Sequence, residues 1–240
     1  MSAAAGVLGR FLEISIYAPD VPASLDFYRR LGLVEAVTGD IWDHAYGVVT
    51  DGQVALGLHA YEFPSPALTW VCPGIAEAAA SLTAADVELA FLKTGDERFN
   101  ELGFIDPDGQ MVTLLEARTY SPPAGRPPPP AAGFFRELRY PVRVVAETTA
   151  FWEDLGFVAT GDDPRQASLT GDGLAILGYE SRRREAPGLV FEAVDLPAAA
   201  ERLEARQLSP TPVTDPVSGD PALSLTAPEG TPVTILGLTD

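Results

Sequence analysis

Two glutamates occupy matching places in two similar segments of the chain. Glu13 lies in FLEISIYA, and Glu137 lies 124 residues later in FRELRYPV. Both segments alternate apolar and polar residues, the pattern of a β-strand with one buried face. A carboxylate in a partly apolar pocket has a raised pKa, so it can act as a general acid or base, or hold a cationic group. We predict this role for both glutamates; the alternative is an inert carboxylate paired with a nearby arginine.

Two threonines also recur at matching places. The segments DPDGQMVTLLEA (106–117) and APEGTPVTILGL (227–238) each combine a turn signal with an alternating strand. Thr113 and Thr234 are the fourth residues after the turn glycines, and they are 121 positions apart. The recurrence indicates that a whole structural unit has been duplicated.

The chain has only two histidines, both in its first half. His59 ends a strand in which Ala55 and Gly57 lie on the same face, and these small residues leave room for a ligand. His44 follows Trp42 in a loop and could border the mouth of a pocket. For both histidines a purely structural role remains the alternative.

The elements that must position these residues follow one order throughout the chain. A strand is followed by a helix and then by three short strands, and this order is repeated four times. In the first unit, the helix VPASLDFYRRLG buries one apolar face and ends at a glycine. The later helices are expected near 74–86, 144–156 and 196–207.

The halves are joined by a proline-rich stretch, TYSPPAGRPPPPAAG. Such a sequence forms an extended, semi-rigid connector, and we expect none of it to enter a core. The sequence therefore predicts a first domain at 10–118, a linker at 119–133 and a second domain at 134–238. Whether the first unit pairs with the second or with the fourth is left open.

The charge balance excludes some partners. The 240 residues include 16 basic and 34 acidic side chains, a formal net charge of −18. Such a surface repels nucleic acid and anionic lipid. The sequence contains no long apolar run and no N-terminal export signal, so we expect a cytoplasmic protein with no membrane partner.

The segments YAPDVPASLDFYRRLGL and DPDGQMVTLLE, duplicated and in this order, resemble the vicinal oxygen chelate superfamily. That superfamily includes glyoxalase I, the extradiol dioxygenases and bleomycin-resistance proteins. The resemblance implies an α+β fold with two tandem glyoxalase-like domains. Each domain would contain two βαβββ units that form a cup-shaped mixed sheet with the helices outside.

The resemblance also implies where a metal would bind. The first strand of such a domain usually supplies a histidine, and this position falls on Glu13 and Glu137. The last strand usually supplies a glutamate, and this position falls on Thr113 and Thr234. A third ligand usually opens the second unit, near 67–69, where no histidine occurs. A threonine hydroxyl is a poor ligand for a divalent ion, so we predict no metal and no cofactor.

Strand alternation and aromatic content predict which side chains would line the cups and bind a small molecule. The predicted ligand-binding residues are Tyr17, Trp42, His44, Tyr46, His59, Trp70, Phe104, Met111, Thr113, Phe135, Arg139 and Thr234. Aromatic residues among them could instead belong to the core, since strand-rich domains bury most of theirs.

The preferred interpretation is a metal-free binding protein that sequesters a planar or cationic, natural-product-like molecule, as antibiotic-resistance members of the superfamily do. It would be a monomer, acting as a pseudo-dimer, or a homodimer. The alternative is a metal-independent isomerase, cyclase or lyase that uses Glu13 or Glu137 as acid or base. A second alternative is the metal-dependent lyase or dioxygenase typical of the superfamily.

Overall fold

The computed structural model describes residues 6–39, 41–182 and 185–238. Its helices are α1 Val21–Leu31, α2 Ile75–Ala84, α3 Val145–Asp154 and α4 Leu196–Glu204. Its strands are β1 Arg10–Tyr17, β2 Val34–Thr38, β3 Tyr46–Thr50, β4 Ala55–His59, β5 Ala67–Val71, β6 Leu89–Lys93, β7 Glu101–Ile105, β8 Met111–Leu115, β9 Tyr120–Ser121, β10 Phe134–Val142, β11 Val158–Ala159, β12 Gln166–Gly171, β13 Leu174–Glu180, β14 Gly188–Ala193, β15 Thr211–Thr214, β16 Pro221–Thr226 and β17 Pro232–Gly237. No helix within these ranges has the length and apolar character needed to cross a bilayer.

The strands form two mixed sheets, one from each half of the chain. The first has nine strands in the order β6-β7-β8-β5-β1-β4-β3-β2-β9, and the second has eight in the order β11-β12-β13-β10-β14-β17-β16-β15. In the first sheet, β1 pairs in parallel with β4 and antiparallel with β5, so β1 joins the first two units. The first unit therefore pairs with the second, and the predicted α+β fold of four repeated units is confirmed.

The first helix shows how local sequence sets the element boundaries. The Asp20 side chain accepts a hydrogen bond from the Ala23 amide at 3.1 Å, which caps the N-terminus of α1. Gly32 ends the helix with φ of 103°, a left-handed conformation that favours glycine. The C-terminal glycine predicted from the sequence is thus the residue that terminates α1.

A β-bulge near the start of each long strand changes which side chains face the cup. In β10, Phe135 pairs with Phe191, but Glu137 pairs with the adjacent Val190, so Arg136 is an extra residue. Phe135 consequently packs in the core, with its ring centroid 6.0 Å from that of Phe191. The prediction that Phe135 lines the cup is wrong because simple alternation does not hold across a bulge.

One continuous hydrophobic core connects the two sheets. Trp70 of β5 is fully buried, and its ring lies 6.3 Å from that of Trp152 in α3. Phe104 of β7 is also fully buried and contacts Phe151 at 6.3 Å. Trp70 and Phe104 are therefore core residues, which corrects their prediction as ligand-stacking surfaces.

The proline-rich segment contributes more than a connection. Ala131 and Ala132 are buried in the core, and the Ala132 amide donates to the Leu31 carbonyl at 3.0 Å. At the other end of the segment, β9 pairs with β2 and extends the first sheet. The expectation that no residue of 119–133 enters a core is wrong, because the small alanines fit against the end of α1.

The duplicated turns make reciprocal contacts between the halves. Asp108 accepts hydrogen bonds from the Arg143 amide at 2.8 Å and from the Thr148 hydroxyl at 2.5 Å, both at the start of α3. Glu229 occupies the equivalent turn position and accepts from the hydroxyl groups of Ser24 at 2.6 Å and Tyr28 at 2.7 Å, on α1. Each turn therefore holds the first helix of the other half.

Candidate functional site

Three strands of the first sheet bring together the positions at which the resemblance implies metal ligands. Glu13 on β1 is in register with Thr69 on β5, which is in register with Thr113 on β8. The first position thus holds a carboxylate, and the other two hold neutral hydroxyl groups. Divalent metals in proteins prefer imidazole, thiolate and carboxylate ligands, so this set does not fit a metal.

The equivalent row in the second sheet fits a metal no better. Glu137 on β10 is in register with Val190 on β14, which is in register with Thr234 on β17. Valine has no donor atom. Across the described residues, no group of three or more histidine, cysteine, aspartate or glutamate side chains is placed to hold a metal ion.

The Glu13 carboxylate is instead the acceptor of a buried hydrogen-bond network. Its side chain is only 1% exposed. Oε1 accepts from the Ser15 hydroxyl at 2.8 Å and from His59 Nε2 at 3.0 Å, while Oε2 accepts from the Tyr46 hydroxyl at 2.6 Å. Burial and the Glu13 charge raise the pKa of Tyr46 well above its usual value, which keeps this phenol protonated. Three hydrogen bonds thus satisfy the acceptor oxygens of this buried side chain.

Two further threonines complete the network. The Thr69 hydroxyl lies 2.8 Å from that of Ser15, and the Thr119 hydroxyl lies 2.8 Å from that of Tyr46. Because Ser15 and Tyr46 donate to Glu13, each must accept from its threonine. Thr119, from the proline-rich segment, was not predicted as a site residue, since the sequence does not show that this segment folds back to the cup.

Gly57 makes room for the carboxylate. A Cβ atom on Gly57 would lie 2.0 Å from Oε1 of Glu13, well inside van der Waals contact. The space beside His59 that the sequence assigned to a ligand is therefore filled by the Glu13 side chain. In the second sheet, the residue at the corresponding register position is Leu177, which pairs with Arg139 as Gly57 pairs with Ser15.

The network extends towards solvent through the two histidines. His59 Nε2 donates to the Glu13 carboxylate, and in the neutral tautomer the Nδ1 atom of His59 is then an acceptor. In that tautomer His44 Nε2, which lies 3.1 Å from His59 Nδ1, is the donor of the bond between the two rings. The Nδ1 atom of His44 forms no hydrogen bond with any residue that the structure describes. Burial lowers the pKa of His44, and so does the charge that His59 carries when it is protonated, while Asp43 acts in the opposite direction.

Aromatic rings surround the outer end of this chain. Trp42 lies 5.4 Å from His44 and 5.8 Å from His59, measured between ring centroids. Three more rings contact this group, those of Tyr61, Phe63 and Phe99. We call Trp42, His44, Tyr61, Phe63 and Phe99 the aromatic mouth. The Trp42 indole N–H is buried and has no acceptor within the described residues.

The second half holds an ion-pair network at the equivalent place. Arg139 donates to Glu137 from Nε at 3.1 Å and from Nη2 at 2.8 Å, and its Nη1 donates to Asp215 at 2.8 Å. All three side chains are less than 10% exposed. Glu137 is therefore paired with an arginine, the alternative that the sequence left open, and Arg139 is committed to two carboxylates.

Four of the predicted residues, Tyr17, Met111, Thr113 and Thr234, lie on strands of the two sheets outside the hydrogen-bond network. Tyr17 is half-buried and in register with His59. Met111 is buried at the start of β8, and Thr113 and Thr234 are half-buried on their strands. Of the predicted set, the structure brings together Glu13, Trp42, His44, Tyr46 and His59.

Sequence reasoning missed Tyr61, Phe63 and Phe99 as well as Thr119. Tyr61 and Phe63 closely follow His59, so their aromatic character was a usable local signal. Phe99 lies 57 positions from Trp42 in the chain, and no local pattern relates the two.

Comparison with solved structures places this geometry in a known fold. The 2,3-dioxygenase LapB from Pseudomonas sp. KL28 matches with a TM-score of 0.63 and 14% identity, over 96% of this chain and 92% of that one. An extradiol ring-cleaving dioxygenase from B. fuscum matches with a TM-score of 0.63 and 17% identity, over 96% and 72%. A catechol 2,3-dioxygenase matches with a TM-score of 0.62 and 13% identity, over 97% and 88%. No family model matches the chain, and no curated protein matches its sequence.

These similarities confirm the fold that the sequence resemblance implied. The chain has the two-half architecture of the extradiol dioxygenases along nearly its full length. At 13–17% identity the likeness concerns fold alone. A fold of this kind does not determine an activity, which depends on the side chains at the site.

Proposed function

We propose that the first half of the chain is a metal-independent acid–base enzyme, an isomerase or lyase, acting on a planar small molecule at the aromatic mouth. The observation that carries this proposal is the hydrogen-bonded chain from Glu13 through His59 to His44. A buried carboxylate that orients an imidazole is a recurrent way to prepare a general base. Here the imidazole of His59 is hydrogen-bonded to a second imidazole, that of His44, which is only half-buried.

His44 is the catalytic residue in this proposal. Its free Nδ1 accepts a proton from an acidic C–H or O–H of the bound molecule, while its Nε2 proton moves to Nδ1 of His59. The positive charge then rests on the His59 imidazolium, next to the Glu13 carboxylate. The electron pair stays on the substrate, and return of the proton at a second atom completes an isomerisation. No oxidant, reductant or added group is required.

His59 and Glu13 are positioning residues. Glu13 is too deeply buried to contact a ligand, which argues against the direct acid–base role suggested by its sequence position. Its charge instead favours the imidazolium form of His59 during proton transfer. The buried Trp42 N–H is the donor in this group that lacks an acceptor, and it is suited to a developing negative charge on a substrate oxygen.

A second candidate is a binding protein that sequesters a planar molecule without turnover. The observation in its favour is the ring cluster of the aromatic mouth, which offers stacking surface on several sides. The net charge of −18 favours a cationic ligand at long range. In either case, a single chain with two halves would serve as the functional unit, a pseudo-dimer, alone or as a homodimer.

Hydrogen–deuterium exchange into planar aromatic ketones distinguishes the two candidates. We would incubate 1-indanone and 4-chromanone with the protein in D2O and follow loss of the α-proton signal by NMR. We would measure binding by the quenching of tryptophan fluorescence. The quenching would report on Trp42, because Trp70 and Trp152 are fully buried and cannot contact a ligand.

The enzyme proposal predicts exchange by the wild-type protein, reduced at least about a hundredfold by His44→Gln. The control is Glu137→Gln, the change at the position equivalent to Glu13, which should leave the rate unchanged. Quenching without exchange would favour the binding protein. If the protein shows no quenching and no exchange, both candidates are contradicted for this class of ligand.

A further inference from the structure

A cavity of about 690 Å³ opens where the two halves and the proline-rich segment meet. Its walls are the start of β1, the β3–β4 turn, the segment from Arg118 to Pro127 and the β12–β13 turn. This volume lies in the range of small-molecule sites. The cavity is distinct from the aromatic mouth, since none of the residues that define the mouth lines it.

Three arginines line the cavity, Arg10, Arg118 and Arg126. Each is exposed, and none forms an ion pair or a side-chain hydrogen bond with any residue that the structure describes. The chain has only 16 basic residues against 34 acidic ones. The cavity therefore concentrates three positive charges on a protein whose net charge is strongly negative.

The acidic residues of the cavity wall, Asp51 and Asp172, form no ion pair with these arginines among the described residues. Asp51 is 2% exposed and accepts from the amides of Gln53, Val54 and Phe135 at 2.8, 2.9 and 2.7 Å. Asp172 accepts from the Phe11 amide. Both carboxylates are thus used to tie backbone segments together.

The cavity is held in shape by rigid backbone. Pro122, Pro123 and Pro127 restrict the segment that carries Arg126. Pro127 packs against the β3–β4 turn, where a Cβ atom on Gly52 would lie 3.0 Å from the proline ring.

Arg10 and Arg118 also affect the pKa of Tyr120 at the cavity wall. Burial and Glu13 raise the pKa of Tyr120 to about 12, and the two arginines oppose that rise.

We propose that this cavity binds a small anionic molecule through a phosphate or carboxylate group held by Arg10, Arg118 and Arg126. Guanidinium groups bind both kinds of oxyanion in a bidentate manner. The site is separate from the acid–base chain and does not depend on its activity.

Isothermal titration calorimetry with pyrophosphate and with succinate, at constant ionic strength, tests the proposal. The wild-type chain should bind at least one probe with 1:1 stoichiometry, and the tighter probe identifies the group that the cavity prefers. Arg118→Gln and Arg126→Gln should each weaken binding by at least about tenfold. The matched control is Arg98→Gln, because Arg98 is exposed, lies outside the cavity and has no ion pair among the described residues.

Three outcomes would overturn the proposal. They are no binding of either probe at millimolar concentration, unchanged binding in both cavity variants, or an equal loss in Arg98→Gln, which would indicate a general charge effect. Circular dichroism confirms that the variants are folded. If a glutamine variant is not, Arg118→Lys replaces it, and an intermediate affinity is then expected because lysine keeps the charge but not the bidentate geometry.

Discussion

Glu13 and Glu137 descend from one duplicated position, yet their neighbours differ in kind. Glu13 accepts from a serine, a tyrosine and a histidine, whereas Glu137 is paired with Arg139. The difference begins at the neighbouring strand, where Gly57 leaves space for the first carboxylate and Leu177 occupies the corresponding position in the second half. The first half therefore holds a hydrogen-bonded chain of Glu13, His59 and His44, and the second holds an ion-pair network.

Gly57→Ala should disrupt the hydrogen-bond network around Glu13. The new methyl group would overlap the Glu13 carboxylate, so we expect a loss of about 1–3 kcal/mol in the free energy of unfolding. Urea denaturation measures this loss. Gly237→Ala is the control, because a Cβ atom there would lie 3.6 Å from its nearest neighbour, an ordinary contact. Equal stabilities for both variants would mean that the carboxylate does not lie against Gly57.

The pKa of His44 offers a second test at this scale. Burial and the charge of a protonated His59 lower it from 6.5, so His59→Gln, which removes that charge, should raise it towards that value. NMR titration measures the shift. In the unfolded chain His44 recovers its ordinary pKa, so the unfolded state binds more protons below about 6.5 and the stability contributed by neutral His44 is lost as the pH falls. An unchanged His44 pKa in His59→Gln would contradict the contact.

At the scale of elements, the repeated turn has a structural reason. The N-cap residue of α3 is Val144, whose side chain cannot accept a hydrogen bond; Asp108 from the other half accepts from the Arg143 amide just before this helix and from the Thr148 hydroxyl. In α1 the local cap Asp20 is present, and Glu229 accepts from the side chains of Ser24 and Tyr28 along the helix. Negative charge near a helix N-terminus is favourable because of the helix dipole.

Asp108→Ala should destabilise the protein by about 1–3 kcal/mol, since it removes a charged acceptor and leaves the buried Thr148 hydroxyl with only a 3.3 Å contact to the Val144 carbonyl. Urea denaturation is again the measurement. Glu153→Ala, at the exposed far end of α3, is the control and should change little. A double-mutant cycle with Thr148→Val should show coupling; additive effects would contradict the hydrogen bond between Asp108 and Thr148.

The order of helices and strands was predictable because each element carries its own periodicity and the duplication shows it more than once. The bulges were not predictable, since an extra residue such as Arg136 leaves no trace in the apolar pattern. That is why Phe135 was wrongly placed on the cup face. Likewise, Glu13, His44 and His59 could be singled out by type, but their connection in space depends on strand register and on Gly57.

At the scale of the whole molecule, the net charge and the hydrophobic core have opposite effects on stability. A single hydrophobic core connects the sheets, so the halves should unfold together. The net charge of −18 opposes compaction through self-repulsion. We therefore expect added sodium chloride to raise the midpoint of thermal unfolding, because salt screens this repulsion. A falling midpoint would indicate that attractive ion pairs outweigh it.

The most direct test of the account is the tautomeric state of the two histidines. Because the chain has only two, a long-range proton–nitrogen NMR spectrum of the imidazole rings has two spin systems. At pH above 7 we predict that both rings carry their proton on Nε2, and that Glu13→Gln changes the signals of His59 and, through it, of His44. An Nδ1 proton on His59, or averaged signals typical of freely rotating rings, would contradict the Glu13–His59–His44 chain on which the proposed function rests.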